Sequence, residues 1–171
     1  MVLRGPERHE RRSIGEDKIR GLLADEKFLE HDPGASITKA ETQDIATIKP
    51  DEIYNLAGQS SVGLSFEQPV ETLESIATGT LNFLEAIRFT GRMIKFYNAG
   101  SSECFGDTGG IAANELTAFR PRSPYAVAKS AAFWEVANYR EAYQLHATTG
   151  ILFNHDSPLR PERFVTRKII A

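Results

Sequence analysis

Three short apolar runs, separated by two long helix-periodic segments, constrain this chain more than any other feature. Ile53-Tyr54-Asn55-Leu56 follows Pro50 and stops at Ala57-Gly58, which reads as a short buried strand. Met93 to Tyr97 is a second such run, ended by Asn98-Ala99-Gly100, and Ile151-Leu152-Phe153 is a third. Between the first two, Pro69 opens a helix at the first-turn position that tolerates a missing N–H. Leu73, Ile76, Ala77, Leu84 and Ile87 keep its 3.6-residue period, and Gly91 is placed to stop it. Between the second and third runs, Ser123-Pro124 caps a helix expected to reach about Tyr143. Strands alternating with helices at this spacing are βαβ units, and βαβ units build a parallel sheet. The fold class is therefore α/β, with a doubly wound parallel sheet and helices on both faces. The segment up to about Asp32 lacks this pattern: it is polar, Arg-rich and broken by Gly5, Pro6 and Gly15.

The chain has 171 residues, and no repeat or linker divides it, so residues 1–171 read as one domain. Hydrophobic residues at 41% and charged residues at 25% exclude a disordered, collagenous or coiled-coil chain. With 20 basic and 23 acidic residues the formal charge is −3, which leaves no broad cationic field for nucleic acid. The single cysteine, Cys104, has no internal disulfide partner, as in proteins of a reducing compartment. No run approaches the ~18–20 apolar residues of a membrane span, and the first residues carry no secretory apolar core. A cytoplasmic protein is expected. His9, His31, His146 and His155 show no metal-ligand spacing, so no metal is expected.

Ligands of open parallel sheets bind beyond the carboxyl ends of the strands. The second strand leads into Ser101-Ser102-Glu103, and further on stand Tyr125 and, four residues later, Lys129. On a helix, i and i+4 share a face, so a phenol and an ammonium converge there. A nearby ammonium stabilises phenolate and draws a tyrosine pKa down from ~10, which makes a general base. Tyr-x-x-x-Lys alone is a weak signal, equally met by an exposed Tyr beside a solvated Lys. Its place in the first turns of a Ser-Pro-capped helix, after Ser-Ser-Glu at a strand end, gives it weight. Glu103 has two readings: a solvated loop carboxylate, or a base that removes a carbon-bound proton next to a ketone.

Taken together, these stretches resemble the GDP-mannose 4,6-dehydratases of the extended short-chain dehydrogenase/reductase superfamily. The resemblance is carried by Pro50-Asp51-Glu52-Ile53-Tyr54-Asn55-Leu56-Ala57-Gly58-Gln59-Ser60 and Ser65-Phe66-Glu67-Gln68-Pro69. Pro121-Arg122-Ser123-Pro124-Tyr125-Ala126-Val127-Ala128-Lys129 extends it, as do Gly150-Ile151-Leu152-Phe153-Asn154-His155 and Phe164-Val165-Thr166-Arg167-Lys168. It implies a partial Rossmann-like domain that binds NADP and acts on GDP-mannose or a related nucleotide sugar. The implied reaction is an internal redox cycle with loss of water, giving GDP-4-keto-6-deoxymannose. By the same resemblance Ser101 positions the sugar 4-hydroxyl, Glu103 is the C5 base, Tyr125 the C4-hydroxyl base, and Lys129 its partner and a ribose contact. Leu56, Ala57, Gln59 and Ser60 match the loop lining cofactor and substrate. His155 and Arg160 match cofactor contacts, Asn154 a substrate contact, and Asp32 the acid near the adenine. Arg11-Arg12-Ser13 resembles a segment whose cations, Arg12 among them, would meet the 2′-phosphate of NADP, although a solvated basic terminus gives the same composition. Relatives form dimers or tetramers, so a homo-oligomer is implied.

The chain also departs from that pattern. The Gly-rich phosphate loop that follows the first strand of such folds is missing, and Gly109-Gly110 follows the wrong strand. Glu71, Gly100, Asp156, Leu159 and Pro161 stand at positions where the family carries other residues. The expectation is an incomplete domain, without its Gly-rich strand–loop–helix and its substrate-closing region. Two rival readings stay open: another nucleotide-sugar epimerase or reductase, and a catalytically inactive fragment or partner subunit.

Overall fold

The structure is a computed structural model that describes residues 2–4, 27–28, 45–155 and 169. Strands β1 (Val2–Arg4), β2 (Lys27–Phe28), β3 (Glu52–Asn55), β4 (Lys95–Ser101) and β5 (Ala147–Leu152) form one sheet in the order β2-β1-β3-β4-β5. Residues 45–48 are helical. After β3 come a short helix, α1 (Val62–Glu67), and a long one, α2. The latter continues through Pro69–Leu73, a π-helical turn at Glu74–Thr78 and Gly79–Thr90. A 3₁₀ turn (Ser102–Phe105) leaves β4, and α3 (Pro124–Tyr143) connects to β5.

β3, β4 and β5 are parallel, with Asn55 opposite Asn98 and Ser101 opposite Leu152. This is the βαβαβ unit that the strand–helix alternation predicts. β1, by contrast, pairs antiparallel with both β2 and β3, so the sheet as a whole is mixed. The parallel expectation rested on helices separating β3, β4 and β5. No comparable segment of sequence dictated how β1 pairs, and an antiparallel edge on a parallel sheet is a common arrangement.

The register sets Ile53, Phe96 and Ala147 side by side on one face of the sheet. There they join Phe83, Leu84, Ala86 and Ile87 of α2, Val136 of α3, and Ile45 and Ile94 in one buried cluster. A second cluster of Ile76, Ala128 and Ala132 ties the π turn of α2 to the N-terminal half of α3, with Tyr125 packed against it. The other face alternates out of phase: Tyr54 and Tyr97 lie 5.9 Å apart, and Lys95 reaches Glu52 at 3.1 Å. Of the two helix layers expected, the described residues supply the one on the Ile53–Phe96–Ala147 face.

The helix ends follow the sequence closely. Ser123 caps α3, its hydroxyl accepting from the Ala126 N–H at 3.0 Å. Gly91 ends α2 at φ 61°, a left-handed conformation that costs glycine little. The strands run longer than their apolar cores suggest. β4 extends to Ser101 because β3 pairs it as far as Asn98 and β5 pairs it through Gly100 and Ser101, backbone that Asn98 and Gly100 would otherwise interrupt. Gly100 lets β5 pack closely there, since a Cβ would come within 2.8 Å of the Thr149 methyl. β5 likewise starts at Ala147.

α3 also carries a carboxylate, Glu135, whose Oε2 is buried and has no hydrogen-bond partner among the described residues. Burial raises its pKa to about 7, because desolvation disfavours the charged form. An acid with a raised folded pKa favours the fold while protonated, and that contribution is lost as pH rises from ~4.5 through about 7. Glu135→Gln keeps the shape without the charge. In urea denaturation its midpoint should exceed wild type at pH 8 and match it at pH 5; equal midpoints at both pH values would refute a buried, unpaired carboxylate.

Candidate active site

The carboxyl ends of the three parallel strands lie together, and most of the candidate residues lie there. Ser101 is the last residue of β4, buried, with its Oγ accepting from the Glu103 N–H at 3.3 Å. That bond makes Ser101 the cap of the 3₁₀ turn, which carries Glu103 into solvent and buries Cys104 and Phe105. The Ser101 side chain also adjoins the Tyr125 hydroxyl closely enough to ease its ionisation, so β4 and the first turn of α3 meet at this pair. One turn further along α3, Lys129 is only 8% exposed and donates from Nζ to the Ala99 carbonyl at 2.8 Å. An ammonium has three N–H donors, so two remain beyond that bond. Leu56 and Ser60 are exposed beyond β3, and Asn154 and His155 are exposed beyond β5. The His155 Nδ1 lies 2.8 Å from the Phe153 carbonyl.

Electrostatics in the site differ from the simple Tyr–Lys expectation. Burial pushes the Tyr125 pKa up from its ordinary value, and the adjoining Ser101 side chain offsets part of that rise. Burial also lowers Lys129, to about 8. The ammonium sits 5.9 Å from the Tyr125 ring centroid and is directed at a backbone carbonyl, not at the phenol oxygen. In this low-dielectric pocket each side chain resists its own charged form. Ser101 is thus the neighbour that eases ionisation of Tyr125, a role that i, i+4 spacing does not reveal. Cys104, beside them, has its thiol pKa raised by burial and acts as a small apolar core residue.

The loop after β3 is held from within. Asn55 Oδ1 accepts from the Ala57 N–H at 3.2 Å, and the Gln59 N–H donates to Ser75 Oγ at 3.4 Å. The Gln59 side chain turns inward: its Nε2 donates to Ser61 O at 2.8 Å and to Thr72 Oγ1 at 3.1 Å, and its Oε1 accepts from the Ser61 N–H. Gly58 has φ 109°, and a Cβ there would meet Ile76 Cγ1 at 2.9 Å, so only glycine lets the loop lie against the π turn. Three of the candidate residues, Arg12, Asp32 and Arg160, lie outside the described residues. Among the described residues, no group of three or more His, Cys, Asp or Glu side chains is placed to hold a metal ion, and no helix is long and apolar enough to cross a membrane.

A family model described as GDP-mannose 4,6 dehydratase matches residues 35–171. The chain belongs to this family. It is 60% identical over 126 residues to GDP-mannose 4,6 dehydratase 1 of Arabidopsis thaliana, covering 71% of this chain and 35% of that one. To the GDP-mannose 4,6-dehydratase of Vibrio cholerae serotype O1 it is 54% identical over 130 residues, covering 75% of this chain and again 35% of the relative. This chain therefore spans about a third of the length of those dehydratases. Among solved structures, that of RMD from Pseudomonas aeruginosa complexed with NADPH superposes with a TM-score of 0.69. It is 27% identical, covering 87% of this chain and 53% of that one. The Rossmann-like α/β architecture is shared with such neighbours, and this chain keeps the parallel strand ends on which the candidate residues stand.

The sequence left unnoticed the polar residues buried beneath the site: Asn55, Thr72, Thr80 and Asn98. Asparagine in mid-strand and threonine in mid-helix are the signal they carried, since neither residue is favoured there.

Lys129 yields a stability prediction with a defined sign. Its folded pKa of about 8 lies below the unfolded value of 10.5, so between those values the unfolded chain binds more protons and stability climbs with pH. The slope approaches about 1.4 kcal/mol per pH unit. Chemical denaturation of wild type and Lys129→Met between pH 8 and pH 10 should show that rise in wild type alone; parallel curves would mean that Lys129 is not desolvated.

Proposed function

We propose that this chain carries the catalytic segment of a GDP-mannose 4,6-dehydratase, converting GDP-mannose to GDP-4-keto-6-deoxymannose with NADP as cofactor. The observation that carries the proposal is the convergence at one strand end of Ser101 beside Tyr125, Lys129 one helical turn away, and Glu103 exposed on the adjoining turn. Each of these groups suits a different position of a hexose ring. Tyr125 accepts the proton of the C4 hydroxyl, helped by the adjoining Ser101. Once C4 is a ketone, the neighbouring C5–H is acidic, and the Glu103 carboxylate, exposed on the adjoining turn, removes it. The proton then held by Glu103 balances the hydroxyl leaving C6 as water.

The donor set supports a nicotinamide nucleotide. Lys129 has two N–H donors to spare for ribose hydroxyls, while the exposed Leu56–Ser60 loop and His155 border the same strand ends. By the family resemblance alone, Arg12, Asp32 and Arg160 are the further cofactor contacts proposed, Arg12 for the 2′-phosphate. Asn154 and Ser60 would contact the sugar nucleotide. The nicotinamide, when bound, supplies the two-electron acceptor and donor for the sugar. The NADPH-bound RMD structure, 27% identical, supports a nicotinamide dinucleotide at these strand ends, and membership of the dehydratase family supports its NADP form. A cytoplasmic homo-oligomer completes the reading.

Purified protein incubated with NADP⁺ and GDP-mannose should give a product lighter by one water in mass spectrometry. Glu103→Gln should reduce that product at least a thousandfold, with the sugar nucleotide recovered intact. A mass change of two would indicate a reductase, and unchanged mass with altered stereochemistry an epimerase. Full water loss by Glu103→Gln would remove Glu103 from its role.

A further inference from the structure

α2 is interrupted by the π turn at Glu74–Thr78, and a threonine flanks it on each side. Thr72 lies before it and Thr80 after it, both essentially fully buried. Their hydroxyls return to carbonyls four residues earlier, Thr72 to Gln68 O and Thr80 to Ile76 O, each at 2.7 Å. A hydroxyl has a single proton to give. With that proton given to the helix carbonyl, which for Thr80 is a nearer acceptor than Asn98 Oδ1 at 3.4 Å, each Oγ1 is left as an acceptor, and each accepts from an amide side chain of β3 or the loop that leaves it. Thr72 Oγ1 accepts from Gln59 Nε2 at 3.1 Å, and Thr80 Oγ1 accepts from Asn55 Nδ2 at 3.3 Å. Asn55 Nδ2 also donates to Asn98 Oδ1 at 3.1 Å, which binds the arrangement to β4. Asn98 is 2% exposed, and its own Nδ2 has no partner among the described residues. A half-satisfied buried amide lowers stability, and the offsetting contact in this cluster is the one that orients Asn55.

The two amides in turn shape the loop. Asn55 Oδ1 holds the Ala57 N–H, while Gln59 closes on both the N–H and the carbonyl of Ser61. The π turn itself supplies Ser75 Oγ to the Gln59 N–H and the Ile76 side chain against Gly58. π turns in α-helices recur at functional sites, where they displace side chains that a regular helix would aim elsewhere.

We propose that Thr72 and Thr80 are positioning residues: a two-point acceptor clamp that fixes the shape of the 56–60 loop, and through it the strand-end site where the proposed dinucleotide binds. The functional half of this statement rests on the NADP reading above; the loop-holding half does not.

Amide hydrogen exchange by NMR separates the two. Thr80→Val preserves shape but removes the acceptor, while Thr80→Ser preserves it. In Thr80→Val the Ala57 amide should exchange at least tenfold faster than in wild type, while the Phe96 amide, bonded to His146 O in the core, keeps its rate. Thr80→Ser should restore the Ala57 rate. An unchanged Ala57 rate in Thr80→Val, or an equal acceleration of Ala57 and Phe96, would overturn the clamp. A parallel NADP⁺ titration should show affinity weakened about tenfold in Thr80→Val and recovered in Thr80→Ser. Undiminished affinity would overturn the link to the site, and no binding by wild type would overturn the NADP reading and leave exchange to decide the clamp.

Discussion

Parallel pairing of β4 with both of its neighbours is the constraint on which the rest of this structure depends. A parallel pair demands a crossover, so β3 and β4 are joined through α2, and β4 and β5 through α3. Both helices return over the same face, where Ile53, Phe96 and Ala147 provide the apolar surface that receives them. All three strands consequently end at the same edge of the sheet. Ser101, the Leu56–Ser60 segment and Asn154 meet there because of topology, although they are far apart in the chain.

What is built at that edge is unusually polar for its burial. Lys129 enters a desolvated position against the Ala99 carbonyl, Tyr125 lies beside Ser101, and Asn55, Asn98 and Thr80 form a layer below. Such groups lower stability when left unpaired and stiffen their surroundings when paired. The chain accepts both consequences: Asn98 Nδ2 and Glu135 Oε2 lack partners among the described residues, while the loop after β3 is tied through the Ala57 and Gln59 amides and the Gln59 side chain. Rigidity beneath a ligand site allows two charge-bearing side chains, each resisting ionisation alone, to be brought to a defined separation before any substrate arrives.

The two cationic–phenolic partners illustrate how a motif and its environment divide the work. Spacing on α3 guarantees that Tyr125 and Lys129 share a face. Their ionisation, however, belongs to burial and to Ser101, a residue from another element. The same division holds for Gln59, whose position in a recognisable motif suggested a ligand contact and whose side chain bonds Ser61 and, on α2, Thr72.

Periodicity, capping residues and turn glycines were enough to determine α2, α3 and the three parallel strands, because those signals act between residues close in the chain. Ser123 and Gly91 end their helices where the sequence places them. Motif order likewise determined family membership and the choice of Ser101, Glu103, Tyr125 and Lys129. Strand lengths, the antiparallel pairing of β1, the π turn and the polar layer beneath the site were decided only by the tertiary structure. Each of them depends on a partner distant in sequence: Thr149 against Gly100, Ile76 against Gly58, Thr80 against Asn55. Hydrogen bonding and desolvation are set by what a side chain meets in space, and that is known only once the chain has folded.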